Sequence, residues 1–139
     1  MTAKTVMCFG TFDILHLGHL QYFQQAKQFG DRLVVVIARD KTKERQKKVS
    51  VFSEQERLEL VKSLEIVDDA VLGYHNNHLS IIQEIKPDIL CLGYDHNVNE
   101  SVLLENLQKR GLNPIVKRMK PYQINKHKSS RIKEIMLRS

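Results

Sequence analysis

Three uninterrupted apolar runs set the architecture open to this chain: "TVMCFG" (Thr5 to Gly10), "RLVVVIA" (Arg32 to Ala38) and "DILCLG" (Asp88 to Gly93). A strand with one wet face alternates apolar and polar residues. A strand that stays apolar throughout needs cover on both faces, as in a parallel sheet clad with helices. Helical segments stand between the runs. "LQYFQQAKQFG" carries Leu20, Phe23 and Ala26 at helical spacing and stops at Gly30, read as its C-cap. "SEQERLELVKSL" opens with Ser53 three residues before Glu56, a capping-box signature, and bears an apolar stripe at Leu58, Val61 and Leu64.

The pattern continues with a short strand "DAVLG", a helix "HLSIIQEIK" ended by Pro87, and the "DILCLG" strand. A helix "ESVLLENLQKRG" closed by Gly111, a fifth strand "NPIVKRM" and a terminal helix "SSRIKEIMLR" follow. The expected fold is α/β: a single-domain, Rossmann-like, doubly wound sheet of five parallel strands with helices on both faces. At 139 residues the chain can bury a core without metal or disulfide help.

In such sheets ligands bind beyond the carboxyl ends of the strands, where strand order reverses. Unusual polar segments cluster at those ends: "GTFDILHLGH" after the first strand, "RDKTKERQKK" after the second, "YDHN" after the fourth and "KPYQINKHKSS" after the fifth. The net charge of +6, from 22 Lys+Arg against 16 Asp+Glu, calls for an anionic partner. The regular α/β pattern favours a phosphorylated small molecule over nucleic acid. No apolar run approaches the roughly 18 residues of a membrane span, and "MTAKTVMCFG" lacks the form of a signal peptide. Cys8 and Cys91 lie inside apolar strands, which points to reduced, buried thiols in a cytoplasmic protein.

The first polar segment carries the most chemistry. Gly10 and Thr11 end a strand and Gly18 sits where a helix begins. Glycine lets backbone approach a ligand, and a helix N-terminus offers N–H donors with partial positive charge. His16 and His19, three apart on a first turn, project to one side. Imidazoles so placed can donate hydrogen bonds to phosphate oxygens that gain charge in a displacement at phosphorus. As a zinc site the pair supplies only two ligands, so no protein metal site is expected.

"GTFDILHLGH" resembles the signature of the cytidylyltransferase-like nucleotidyltransferases: a strand, then T/S-F/Y-D and H-x-G-H. The resemblance extends over the chain, making residues 1–139 one nucleotidyltransferase domain. "VVVIARDKT", "VFSEQERLELVKSLEIVDDAVLG" and "IKPDILCLGYD" resemble the archaeal-type FAD synthases, which are FMN adenylyltransferases, although Leu17 stands where that type usually has proline. The implied reaction is ATP + FMN giving FAD and diphosphate, with a divalent cation, Mg²⁺ by expectation, held mainly by the substrate phosphates. The alternative is a CTP-dependent enzyme acting on glycerol-3-phosphate or another phosphoalcohol. Dimerisation is common in small relatives, so a homodimer is compatible, though no interface is legible.

The resemblance implies roles for particular residues. Thr11, Phe12 and the turn to His16 contact nucleotide phosphates, with His16 and His19 on the α-phosphate. Lys48 reaches the phosphates as a catalytic cation and Lys47 is its alternative; a solvated charge run is the competing explanation for both. Asp13 orients the motif, lies near a metal, or is a turn aspartate. Asp40 lies at the site's rim or is a loop acid. Arg57 points into the site or is a surface arginine held by Glu54 one turn back. Asp95 contacts base or ribose, or merely forms an Asx turn. Arg118 matches the arginine of an R-T-x-x-x-S/T pattern whose threonine is replaced by Met119. Tyr122 matches the FAD synthase type, and Ser129 and Ser130 offer hydroxyl and amide donors to the β- and γ-phosphates as well as a helix cap. His75, His78 and His127 are read as surface residues. A catalytically silent nucleotide binder is the competing class, and the intact H-x-G-H argues against it.

Overall fold

The run Thr5–Gly10 forms the central strand, β1, of a five-stranded parallel sheet. The computed structural model describes residues 3–45, 50–74 and 78–121. The elements after β1 are α1 (Leu17–Lys27), β2 (Arg32–Ile37), α2 (Asp40–Arg45), α3 (Glu54–Lys62) and β3 (Asp69–Leu72). Then come α4 (His78–Ile85), β4 (Ile89–Leu92), α5 (Glu100–Lys109) and β5 (Ile115–Arg118). The sheet order is β3-β2-β1-β4-β5, so the winding reverses between β1 and β4. That is the place where a doubly wound sheet opens a crevice at its carboxyl edge.

Successive residues of β1 point to opposite faces, and both faces are dry. Val6 and Cys8 pack with Leu33, Val35 and Ile37 of β2 against Tyr22, Phe23 and Ala26 of α1 and Val61 of α3. Met7 packs with Val36 and Leu90 against Ile81 and Ile82 of α4 and Leu107 of α5. Helices α1 and α3 thus cover one face and α4 and α5 the other, the doubly wound arrangement, which explains why the strands read as unbroken apolar runs. Cys8 and Cys91 are paired in register across β1 and β4, both buried, and burial pushes the Cys8 thiol up. Among the described residues no helix is long and apolar enough to cross a membrane.

Helix ends follow their expected chemistry with one exception. Ser53 and Glu56 form the reciprocal capping box at α3. Gly111 (φ 78°) closes α5: its N–H donates to the carbonyl of Gln108 while that of Leu112 reaches Leu107. These two bonds make a Schellman motif. Gly30 is not the C-cap of α1. That position is Gln28 in right-handed conformation (φ −64°), and Gly30 serves close approach instead. A Cβ there would lie 2.7 Å from the carbonyl oxygen of Lys4 and 2.6 Å from Cγ2 of Val6. Part of the basic segment that follows β2 is the short helix α2. The terminal helix expected at "SSRIKEIMLR" lies outside the described residues.

Because backbone cannot yield as a side-chain tip can, Gly30→Ala should destabilise the fold by about 1–3 kcal/mol. Urea unfolding should show a lower midpoint at unchanged m.

Candidate active site

The turn after β1 is built around a backbone inversion at Phe12, whose φ of 53° is rare for a bulky residue. The inversion sends the ring back over Gly10, where a Cβ would stand 2.5 Å from its Cζ, and into contact with Phe23 (centroids 5.0 Å apart). The Phe12 ring is therefore part of the core, and only the backbone of this residue is left to meet a phosphate. Such strain persists only where surroundings over-determine it, and it concentrates at functional sites. Asp13, also buried, accepts from the N–H groups of Val51 (2.7 Å) and Phe52 (2.8 Å). Of its three readings the contacts fit orientation of the motif, since the carboxylate clips the turn to the approach of α3.

His16 and His19 form an unusual capping box. The N–H of Gly18 donates to His16 Nδ1 (3.0 Å), and that of His16 to His19 Nδ1 (3.4 Å). An Nδ1 that accepts carries no proton, so the proton of each neutral ring sits on the distal nitrogen, Nε2. The rings stack with centroids 4.0 Å apart, and Phe12 meets His19 edge-on at 5.3 Å. Burial, reinforced by the neighbouring His16, lowers the pKa of His19 to about 3. His19 is thus a neutral hydrogen-bond donor throughout the physiological range. Nε2 of His16 has no exposed surface, so a phosphate reaches it only after its cover shifts. The Gly18 N–H, expected to face a ligand, is spent on His16.

Of the two readings of Arg57, that of a surface arginine held by Glu54 does not fit: the side chain is 0 % exposed and its guanidinium is turned onto the protein. Nη1 donates to the carbonyl of Thr11 (3.0 Å), Nε to that of Phe52 (3.3 Å) and Nη2 to Asp40 Oδ1 (2.8 Å). Asp40 also exchanges two bonds with Glu54: its N–H to Oε1 (3.0 Å), and the Glu54 N–H to its Oδ2 (3.1 Å). Burial raises the Asp40 pKa, but hydrogen bonds from Arg57 and Glu54 outweigh that and leave it below the usual range. Asp40 and Arg57 are positioning residues that tie the carboxyl ends of β1 and β2 to the start of α3.

The same corner holds a residue that sequence reasoning passed over. Lys43, 7 % exposed, places Nζ 3.1 Å from Thr11 Oγ1. Nothing in a run containing Lys41, Lys43, Lys47 and Lys48 singles it out; only its place on α2, one turn after Asp40, turns it inward.

Across the crevice, Arg118 binds protein acceptors: the carbonyls of Gly93 (3.0 Å), His96 (2.5 Å) and Val98 (2.8 Å), and Glu100 Oε1 (3.0 Å). These bonds shape the β4–α5 loop and hold the guanidinium in place. His96 Nδ1 accepts from the Gly93 N–H (3.0 Å), and its ring stands edge-on to Tyr22 at 6.2 Å. Burial lowers the His96 pKa; Asp95 opposes this and Arg118 adds to it. Asp95 is exposed in the turn between Gly93 and His96. Lys47, Lys48, Tyr122, Ser129 and Ser130 lie outside the described residues, as do His75 and His127, and so does the side chain of His78.

The chain matches the family model described as cytidylyltransferase-like over residues 7–135. It is 42% identical over 129 residues to the FAD synthase of Thermoplasma acidophilum, covering 93% of this chain and 91% of that one. To the FAD synthase of Thermoplasma volcanium it is 43% identical over 133 residues, 94% of this chain and 93% of that one. A crystal structure titled as a lipopolysaccharide core biosynthesis protein from Thermoplasma volcanium superposes with a TM-score of 0.86 at 41% identity, covering 88% of this chain and 100% of that one.

The unfolded chain protonates His19 below a pH of about 6.5, whereas the folded chain does so only near 3. Stability is therefore greatest above 6.5 and falls as the pH drops through that interval, by up to about 1.4 kcal/mol per pH unit from this group. Urea titrations between pH 7 and 5, above most carboxylate titration, should show the loss, and His19→Asn should flatten it. Arg57→Met should cost at least about 2 kcal/mol, since it strands two buried carbonyls and an aspartate, and calorimetry would register it.

Proposed function

The chain belongs to the cytidylyltransferase-like family, and from that premise we propose that it transfers the adenylyl group of ATP to FMN, releasing pyrophosphate. The choice of flavin is supported by the FAD synthases it resembles at 42% and 43% identity over nearly their whole length. The same relatives do not favour the CTP-dependent alternative. The chemistry rests on one observation, the stacked His16–His19 pair whose Nδ1 atoms are both occupied by backbone amides. We take residues 1–139 as one nucleotidyltransferase domain.

In this reading a phosphate oxygen of FMN bonds to the α-phosphorus of ATP. The bond from that phosphorus to the bridging oxygen breaks, and pyrophosphate leaves with the electron pair. The nucleophile is already an anion, so no general base is required. The chain supplies position and charge stabilisation: the Nε2–H donors of His16 and His19 meet oxygens that gain charge as phosphorus becomes five-coordinate. Gly10 leaves room for the Phe12 ring, Gly18 supplies the N–H that caps against His16, Thr11 offers a hydroxyl, and Lys48 (or Lys47) with Ser129, Ser130 and Tyr122 complete the phosphate and nucleotide contacts. Asp95 stands at the crevice for base or ribose.

Among the described residues no three of His, Cys, Asp and Glu gather so as to hold a metal ion. Asp13 and Asp40 are committed to backbone amides and Arg57. In this reading a divalent cation is held mainly by the substrate phosphates, where it would offset their charge. A cytoplasmic setting, which supplies ATP and keeps thiols such as Cys8 and Cys91 reduced, accords with this reading.

His16→Asn separates capping from chemistry, because asparagine is a good N-cap but lacks the distal N–H. The variant should melt close to wild type while kcat for FAD formation falls roughly 100- to 1000-fold. Wild-type protein that makes no FAD from ATP and FMN, yet makes CDP-glycerol from CTP and glycerol-3-phosphate, would overturn the flavin assignment.

A further inference from the structure

We infer that Lys43 is a phosphate-binding residue of this site, its ammonium acting together with the Thr11 hydroxyl on a phosphoryl group of one of the two substrates. The identity of those substrates rests on the function proposed above; the geometry does not. A lysine on a short surface helix ordinarily leaves its ammonium in water, where it is strongly hydrated and keeps its rotamer freedom. Lys41, two residues earlier on α2, does so. Lys43 instead folds its side chain inward until 7 % is exposed and meets Thr11 Oγ1 at 3.1 Å.

Thr11 sits between two cations with different tasks. Arg57 below it is fully enclosed and matched by Asp40, so its charge serves the scaffold. Lys43 comes to the Thr11 hydroxyl from α2, at the carboxyl edge of the sheet where β1 ends. A hydroxyl that accepts a hydrogen bond still has its own proton to donate, and an ammonium carries three N–H groups. Together they make a donor pair at the start of the 11–16 turn. The stacked histidines begin at the other end of that turn. Charge-bearing donors at one end and neutral N–H donors at the other suit an anion with more than one phosphoryl group, or two phosphates brought side by side. During transfer the ammonium gives up no proton.

Calorimetric titration of wild type, Lys43→Met and Lys43→Arg with magnesium pyrophosphate, with FMN and with inorganic phosphate tests this. Lys43→Met should weaken pyrophosphate or FMN roughly 10- to 100-fold, and Lys43→Arg should restore part of the loss. Loss confined to pyrophosphate assigns the ammonium to the triphosphate, loss confined to FMN assigns it to the acceptor, and loss of both sets it between them. Unchanged affinity for all three ligands in a folded Lys43→Met overturns the inference. So does failure of both Lys43→Met and Lys43→Gln to fold even with ligand present, which would make the lysine part of the scaffold. Wild type that forms FAD while Lys43→Met binds normally sinks this inference alone. Wild type that forms none while pyrophosphate binding depends on Lys43 sinks the flavin reading alone.

Discussion

The guanidinium of Arg57 is the contact on which the candidate site depends. It lies at the meeting point of three segments distant in sequence: the turn after β1 through Thr11, the approach to α3 through Phe52, and the end of β2 through Asp40. Enclosing a cation is expensive unless it is paired and hydrogen-bonded, and here both conditions are met. Its planar fork reaches three acceptors in fixed directions, which a lysine could not do. With Asp13 clipping the same turn to Val51 and Phe52, the strained backbone at Phe12 has no softer arrangement to relax into.

From that anchored turn the histidines acquire their chemistry. Serine and glutamate cap α3 by the common reciprocal arrangement, and two imidazoles do the same for α1. Using Nδ1 as the capping acceptor sets the tautomer, so the distal nitrogen of each neutral ring becomes an oriented N–H. Burial against Phe12 and the other ring keeps His19 uncharged. A preset neutral donor requires no reorganisation when charge develops on a nearby oxygen, which is the form of stabilisation a displacement at phosphorus can use. At the end of β5, Arg118 collects carbonyls of the β4–α5 loop and holds that loop in place.

Much of the fold is legible without coordinates. Apolar runs that never alternate demand a sheet covered twice, and Ser53, Glu56 and Gly111 mark helix ends through local chemistry alone. Gly30 shows the limit of that legibility: a glycine after a helix suggests a cap, while its reason for being there is the carbonyl of Lys4, a residue twenty-six positions earlier. The site divides the same way. That His16 and His19 share one side of a helical turn could be read from spacing, but the protein acceptors that hold Arg57 and Arg118 could not. Whether an arginine meets a ligand or a backbone carbonyl depends on which loops fold over it.

By itself, then, the order of residues determined the strand–helix alternation, the parallel sheet, the edge at which a ligand could bind and the histidine pair standing there. Each follows from periodicity or from contacts within a few residues, which a linear string preserves. Tertiary structure alone decided which charges are buried, that Lys43 rather than Lys41 turns inward, and that Phe12 belongs to the core. Those outcomes depend on close packing between segments far apart in the chain, and hydration, entropy and hydrogen bonding are balanced only once those segments meet.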